Sequence, residues 1–291
     1  MTTTAPAPAT VDDLFDDIPD FTTDPITKLD RDVKAIAGDL DRDQVRGLVD
    51  LYYRLQEHRI ALGNQARALT AAERPAELIV HFHDQLRALE RQVVGALDLW
   101  TDTQAAGRWA RAQKGIGPVL AAGLLAHIDI TRARTAGAIW RFFGLDPSVT
   151  WGKGERRPWN ADAKVLAWKI GDSFVKVSGR DDAFYGQKYR ERKVYEVERD
   201  ERGDCADTAK ETLESRNIRD AKTKKIYESG HLPPGRLDLR ARRWAVKLFL
   251  AHLHEVMYEA HFGEAPPVPY PIAHLGHAHK IEVPEGGSRS T

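Results

Sequence analysis

Apolar residues recur along this chain at helical spacing. Between Asp30 and Leu69, the residues Leu40, Val45, Leu48, Leu51, Tyr52, Leu55, Leu62 and Leu69 fall mostly three, four or seven apart, the period of one helix face. A second run from Pro75 to Trp100 carries Leu78, Phe82, Leu86, Leu89, Val93, Leu97 and Trp100 on one stripe. Pro75 sets the break, because proline lacks the N–H that a continuing helix needs. Two long amphipathic helices so closely joined predict an antiparallel, coiled-coil-like hairpin. Each stripe then needs a cover, either the other helix or a second copy of the chain.

Further on, residues from Thr103 to Leu145 read as helix, glycine hairpin, helix and short helix. Ser148 to Asn160 reads as a loop or short β-hairpin. Helices are expected over Ala161–Val177, Asp181–Arg199 and Leu237–Phe262, with shorter helical pieces between Glu201 and Gly235. No alternating run is long enough for a sheet. The expected class is mostly α: a long helical hairpin followed by a helical domain containing a helix-hairpin-helix. The expected divisions are a disordered acidic arm (1–29), the hairpin (30–102), the helix-hairpin-helix domain (103–262, with an insertion at 196–236) and an irregular tail (263–291).

Charge changes this picture locally. The chain of 291 residues has a formal net charge of zero, so no global basic field marks a polyanion partner. Aspartates crowd Val11–Asp43, however, and between Arg108 and Lys193 basic residues outnumber acidic ones about two to one. An acidic arm beside a basic body both masks the body and competes for it. The single cysteine, Cys205, excludes a disulfide framework and a zinc ribbon. It suits a reducing cytoplasm, and the N-terminus lacks the basic and apolar regions of a signal peptide. The most apolar stretch, Val119–Ile130, is too short to span a bilayer. A cytoplasmic protein with no membrane partner is expected.

The chemistry concentrates at two places. The first is Arg111-Ala-Gln-Lys114-Gly115-Ile116-Gly117-Pro118. Glycine accepts backbone that other residues resist, Ile116 plugs the space between two helices, and Pro118 suits a first helical position. The following helix then presents free N–H groups and its positive dipole end, which favour a phosphate. Arg111 and Lys114 are candidate partners for that phosphate. Such a corner grips backbone rather than reading bases; a plain tight turn between core helices is the competing expectation. The second place is Ser148-Val-Thr150-Trp151-Gly-Lys153-Gly-Glu-Arg156-Arg157-Pro-Trp159-Asn160. Here Lys153, Arg156 and Arg157 could neutralise phosphates while Trp151 stacks on bases; alternatively, both tryptophans anchor a solvated loop.

The order of these elements resembles a known family. Gly115-Ile-Gly-Pro-Val119, then Phe142-Phe-Gly-Leu-Asp-Pro147, then the basic loop and a helix, is similar to the C-terminal transposase domain of DEDD insertion-sequence transposases. These are Piv-like recombinases that work with a structured bridge RNA. Arg42–Val49 and its continuation to Asn64, Asp182–Arg190, and the Leu237–Tyr258 helix also resemble family segments, so the likeness spans roughly residues 40 to 260. The family begins with a RuvC-like domain whose acidic residues bind divalent metal; no such pattern precedes the hairpin here. The family's nucleophilic serine would fall near Gly152, and Ser148 and Thr150 are the nearest hydroxyls, the candidate catalytic residues.

The resemblance implies a mobile-element or phage protein that keeps nucleic-acid binding, of DNA before RNA, without complete recombinase chemistry. It also implies a homo-oligomer through residues 40–100. The alternatives are a serine-dependent strand transferase that borrows a metal domain from a partner, and a helical oligomeric adaptor. No cofactor and no metal are expected: His274, His277 and His279 lie close together, but no helix fixes their geometry. His252 and His254 read as packing and surface residues.

Overall fold

The computed structural model describes residues 29, 31–267 and 280–285; the acidic arm up to residue 28 and the histidines at 274, 277 and 279 lie outside them. The described residues form α-helices and no strand, so the chain is mostly α. The helix expected from Asp30 is interrupted, giving α1 (Arg31–Gly38) and α2 (Arg42–Ala71). The cause is local: Asp41 accepts a hydrogen bond from the Gln44 N–H, and the Gln44 side chain accepts one from the Asp41 N–H. This capping box starts a new helix and ends the old one.

α2 packs along α3 (Glu77–Asp102) in the opposite direction. Arg59 donates to Glu90 at 2.6 Å near the middle, and the Trp100 indole donates to the Leu40 carbonyl at 2.8 Å at the base. Val45, Val49, Leu55, Val93, Leu97 and Trp100 are buried there. Towards the far end the stripes are only half used, and Ile60, Leu78, Phe82 and Leu89 remain exposed.

The base of this pair rests on α5 (Pro118–His127), which is apolar on every side and buried accordingly. Around it lie α4 (Ala105–Ala112), α6 (Ala136–Phe142), α7 (Ala161–Val177), α8 (Phe184–Glu201) and α11 (Pro234–Phe262). An aromatic cluster joins four of them. Phe174 of α7 stacks on Tyr185 of α8 at 5.2 Å, and both meet Phe249 of α11, which also stacks on Trp109 of α4. Residues 280–285 cross back over this region. Trp109 donates to the Pro284 carbonyl at 3.0 Å, and His252 to the Ile281 carbonyl at 2.9 Å.

The segment 196–236 carries α9 (Ala206–Ser215) and α10 (Ala221–Glu228) and has its own small core of Cys205, Ala209, Tyr227, Leu232 and Leu237. Cys205 is therefore an interior residue, although its neighbours in sequence are polar. Two buried carboxylates tie this unit to α8: Glu196 is flanked by Arg192, Arg199 and Arg240, and Asp200 accepts from the Leu232 N–H at 2.9 Å. No helix among the described residues is long and apolar enough to cross a membrane.

Candidate nucleic-acid interface

The glycine corner joins α4 to α5 and lies against the second half of α7. Gly115 has φ +96°, in the region that L side chains avoid. A Cβ there would come within 3.1 Å of the Ser173 hydroxyl and 3.3 Å of Val177. The Ser173 hydroxyl donates to the Gly115 carbonyl, which pins the corner to α7. Ile116 is buried in the main core. Gly117 differs from Gly115: its φ is −90°, it is exposed, and nothing lies near the position of a Cβ. Gly117 is the N-cap of α5 with no side chain capping it, and Pro118 opens the helix. One side of the corner is thus packed, and the side carrying the helix N-terminus is open.

The charges around that open side partly cancel. Lys114 is exposed, but its ammonium lies 3.3 Å from the Asp182 carboxylate, which Arg180 also holds at 2.9 Å. The hydrogen bonds from Arg180, then from Lys114, pull the Asp182 carboxyl down to about 2. It is therefore an anion wherever phosphate is one, and it competes for the same cations.

Arg111 is not at this surface. Its side chain is only 2% exposed and is tied to the end of α3 through Asp98, the Thr101 hydroxyl and Asp102. The expectation of a phosphate contact at Arg111 is corrected here. Its position in α4 turns it inward, where it closes the α3–α4 junction.

The second place is a loop without strand structure. Asp146 accepts from both the N–H and the hydroxyl of Ser148, at 2.9 and 2.7 Å. The Ser148 hydroxyl hydrogen bond, followed by the backbone one, lowers the Asp146 carboxyl. Ser148 thus closes a turn, beside a carboxylate made less basic by that contact. Thr150 is exposed. Further along, the Trp151 indole donates to the Glu155 carbonyl at 2.8 Å, and the Glu155 carboxylate accepts from the Gly152 N–H. Glu155 is thereby engaged in shaping the loop. Lys153, Arg156 and Arg157 are exposed, and no carboxylate of the described residues is within ion-pair distance of them.

Trp151 is 44% exposed and Trp159 half-buried; their rings meet edge to face at 6.0 Å. Arg157 lies 5.4 Å over Trp151, and the Lys164 ammonium 3.8 Å over Trp159. Gly144 has φ +63°, and a Cβ would meet Trp159 at 2.9 Å, so this glycine makes room for the indole. Asn160 then caps α7 by accepting from the Ala163 N–H at 2.8 Å. The loop is therefore anchored at Trp159 and Asn160 and open elsewhere.

Residues 110–157 match the model of the Transposase IS116/IS110/IS902 family. Over these residues the chain is similar to that transposase family. The matched segment runs from α4 through the glycine corner to the basic loop, a narrower span than the likeness read from element order. No curated protein and no solved structure matches the chain. The IS110-like segment meets α7 at two ends: the loop leads into Asn160, and the corner rests on Ser173 and Val177. Ser173 lies thirteen positions beyond Asn160 along the helix, roughly 20 Å. The two sequence-derived groups therefore form separate patches.

Sequence reasoning missed the continuation of the loop patch. Lys164 on α7 and Arg243 and Lys247 on α11 extend it. Burial, then the charges of Arg243 and Arg157, lowers the Lys164 ammonium; burial lowers Lys247, with Asp146 opposing the shift and Arg243 adding to it. Lys247 also lies 4.1 Å over Trp140. The i, i+4 spacing of Arg243 and Lys247 was the available signal, hidden within a helix read for its apolar stripe. His252 and His254 are both buried, so the surface placement expected for one of them is corrected. Among the described residues no cluster of His, Cys, Asp and Glu is arranged to hold a metal ion.

Proposed function

We propose that this transposase-like chain binds nucleic acid through the phosphate backbone, with the basic aromatic loop as the main contact. The glycine corner is a second, weaker one. The observation that carries the reading is the set of exposed, carboxylate-free cations at Lys153, Arg156 and Arg157 within the transposase segment. Cations already paired release little on meeting phosphate, whereas unpaired ones displace condensed counterions and bind strongly. At the corner, the α5 amides offer a helix N-terminus, but Asp182 lessens the net attraction. DNA is the favoured ligand and structured RNA the alternative. Complete recombinase chemistry is not part of the reading: Ser148 donates to an acid whose affinity for protons is reduced, and a weak base activates a nucleophile poorly.

Fluorescence anisotropy with a labelled duplex at roughly 50 and 200 mM salt tests this reading. Alanine at Lys153, Arg156 and Arg157 together should weaken binding at least about tenfold and flatten the salt dependence by about one unit of slope per cation. Replacing Arg111 by methionine should leave the affinity of the folded fraction unchanged. If no duplex or structured RNA is retained at low salt, the reading is wrong. We further propose that the exposed apolar end of the α2–α3 pair is covered by a second copy of the chain.

A further inference from the structure

One large side chain on the cationic face is unaccounted for. Trp168 is 61% exposed, more so than Trp151, and it makes no hydrogen bond or ring contact with any described residue. The other exposed indole, Trp151, differs in having its N–H satisfied by the loop backbone. Trp168 stands one helical turn beyond Lys164, on the same face of α7. Exposing an indole to water forgoes apolar burial, which a ligand with a flat π-face would restore; on the same face Lys164 stands one turn before Trp168, and Asp172, one turn after it, is already paired with Lys176 and Arg242.

The surroundings specify that ligand further. Lys164 sits over Trp159, next to Arg157 and Arg243, and Arg243 continues towards Lys247. No described carboxylate is within ion-pair distance of Lys164, Arg157, Arg243 or Lys247. At Lys164, burial disfavours the ammonium and the neighbouring Arg243 and Arg157 add to it, so an arriving polyanion relieves repulsion between like charges there. Trp151 meets this group through Arg157 and Trp159, and Trp168 stands one turn along α7 from Lys164; both indoles are exposed. Duplex bases are stacked on each other and cannot offer their faces, whereas unpaired bases can.

We infer that the face formed by Trp151, Arg157, Lys164, Trp168 and Arg243 receives an unpaired nucleic-acid strand, whose bases stack on the two indoles while the cations hold its phosphates. This inference rests on the nucleic-acid reading above and adds to it strandedness and a second helix face. DNA and RNA share the chemistry, and the sugar is left for the experiment to assign.

The test uses the full chain with three labelled probes of one sequence: single-stranded DNA, single-stranded RNA and the blunt DNA duplex. Trp168→Ala should weaken binding of the preferred single strand about tenfold, from the loss of one stacking platform, and should change duplex binding less than about twofold. Trp168→Phe keeps a π-face and should recover most of the loss. Because Trp168 is largely exposed and makes no hydrogen bond or ring contact with a described residue, both variants should melt like the parent chain. The strand whose affinity responds assigns the sugar. Equal losses on single strand and duplex, or no loss on either, overturn the inference while leaving the nucleic-acid reading intact. Failure of the parent chain to bind any of the three probes overturns that reading, and this inference with it.

Discussion

Two glycines that look equivalent in Gly115-Ile116-Gly117 have different jobs. Gly115 sits at positive φ with its Cβ position crowded by Ser173 and Val177, whereas Gly117 is extended and unobstructed. Gly115→Ala should therefore cost about 1–2 kcal/mol from backbone strain alone, with crowding added. Gly117→Ala should change stability by no more than about 0.5 kcal/mol. Urea denaturation of the two variants checks the contrast, and equal effects would show that the corner is not held against α7 as described. Arg111 belongs to the same scale. It reads as a surface cation one turn before the corner, yet its guanidinium is enclosed by the end of α3. Replacing it by methionine should destabilise the fold by about 1–3 kcal/mol, through lost charge-assisted hydrogen bonds, and calorimetry reads that directly.

At the scale of elements, the crossing segment 280–285 is tied to α11 through a histidine. His252 donates from Nε2 to the Ile281 carbonyl at 2.9 Å, which leaves Nδ1 to accept from the Tyr185 hydroxyl at 2.8 Å. That pattern requires the neutral ring. Burial holds His252 below its ordinary value of 6.5, and burial does the same for His254 and His127. The unfolded chain therefore binds protons that the folded chain refuses. The stability these rings contribute is complete above pH 6.5 and is lost as the pH falls below it, towards their folded values. Denaturation midpoints should drop between about pH 7.5 and 5.5, and His252→Gln should reduce that dependence. A midpoint that rises on acidification would contradict the neutral, buried assignment. α7 illustrates how an element can be found while its faces are misread. Its limits, Ala161–Val177, follow from the spacing of apolar residues, but Val165 and Trp168 belong to the outer face.

For the whole molecule, zero formal net charge conceals a division. Cations without carboxylate partners gather at the loop, α7 and α11. The α2–α3 pair projects an apolar end bearing Leu78 and Phe82, which are 58% and 52% exposed. Such a surface favours association with an identical one. Light scattering should report an oligomer in the parent chain, and Leu78→Glu with Phe82→Glu should shift it to monomer without changing helix content. A parent chain that stays monomeric at high concentration would remove this proposal. The cationic face lies on other helices, so the same variant should retain its affinity per chain for a short probe.

What the sequence determined by itself was local. Apolar period, capping residues and proline breaks act over a few residues, so the helices were legible, as were the corner glycine, the exposure of the basic loop and the transposase resemblance. It could not decide which side of each helix meets another helix, because that depends on partners distant in the chain. Arg111 went inward because α3 ends beside it, and Trp168 stayed outward because α11 packs against the adjoining flank of α7. Tertiary packing also separated the corner from the loop along α7, and it brought Arg243 beside Lys164 across some eighty residues of chain. Charge and stacking act through space, so the interface emerged only once the helices were assembled.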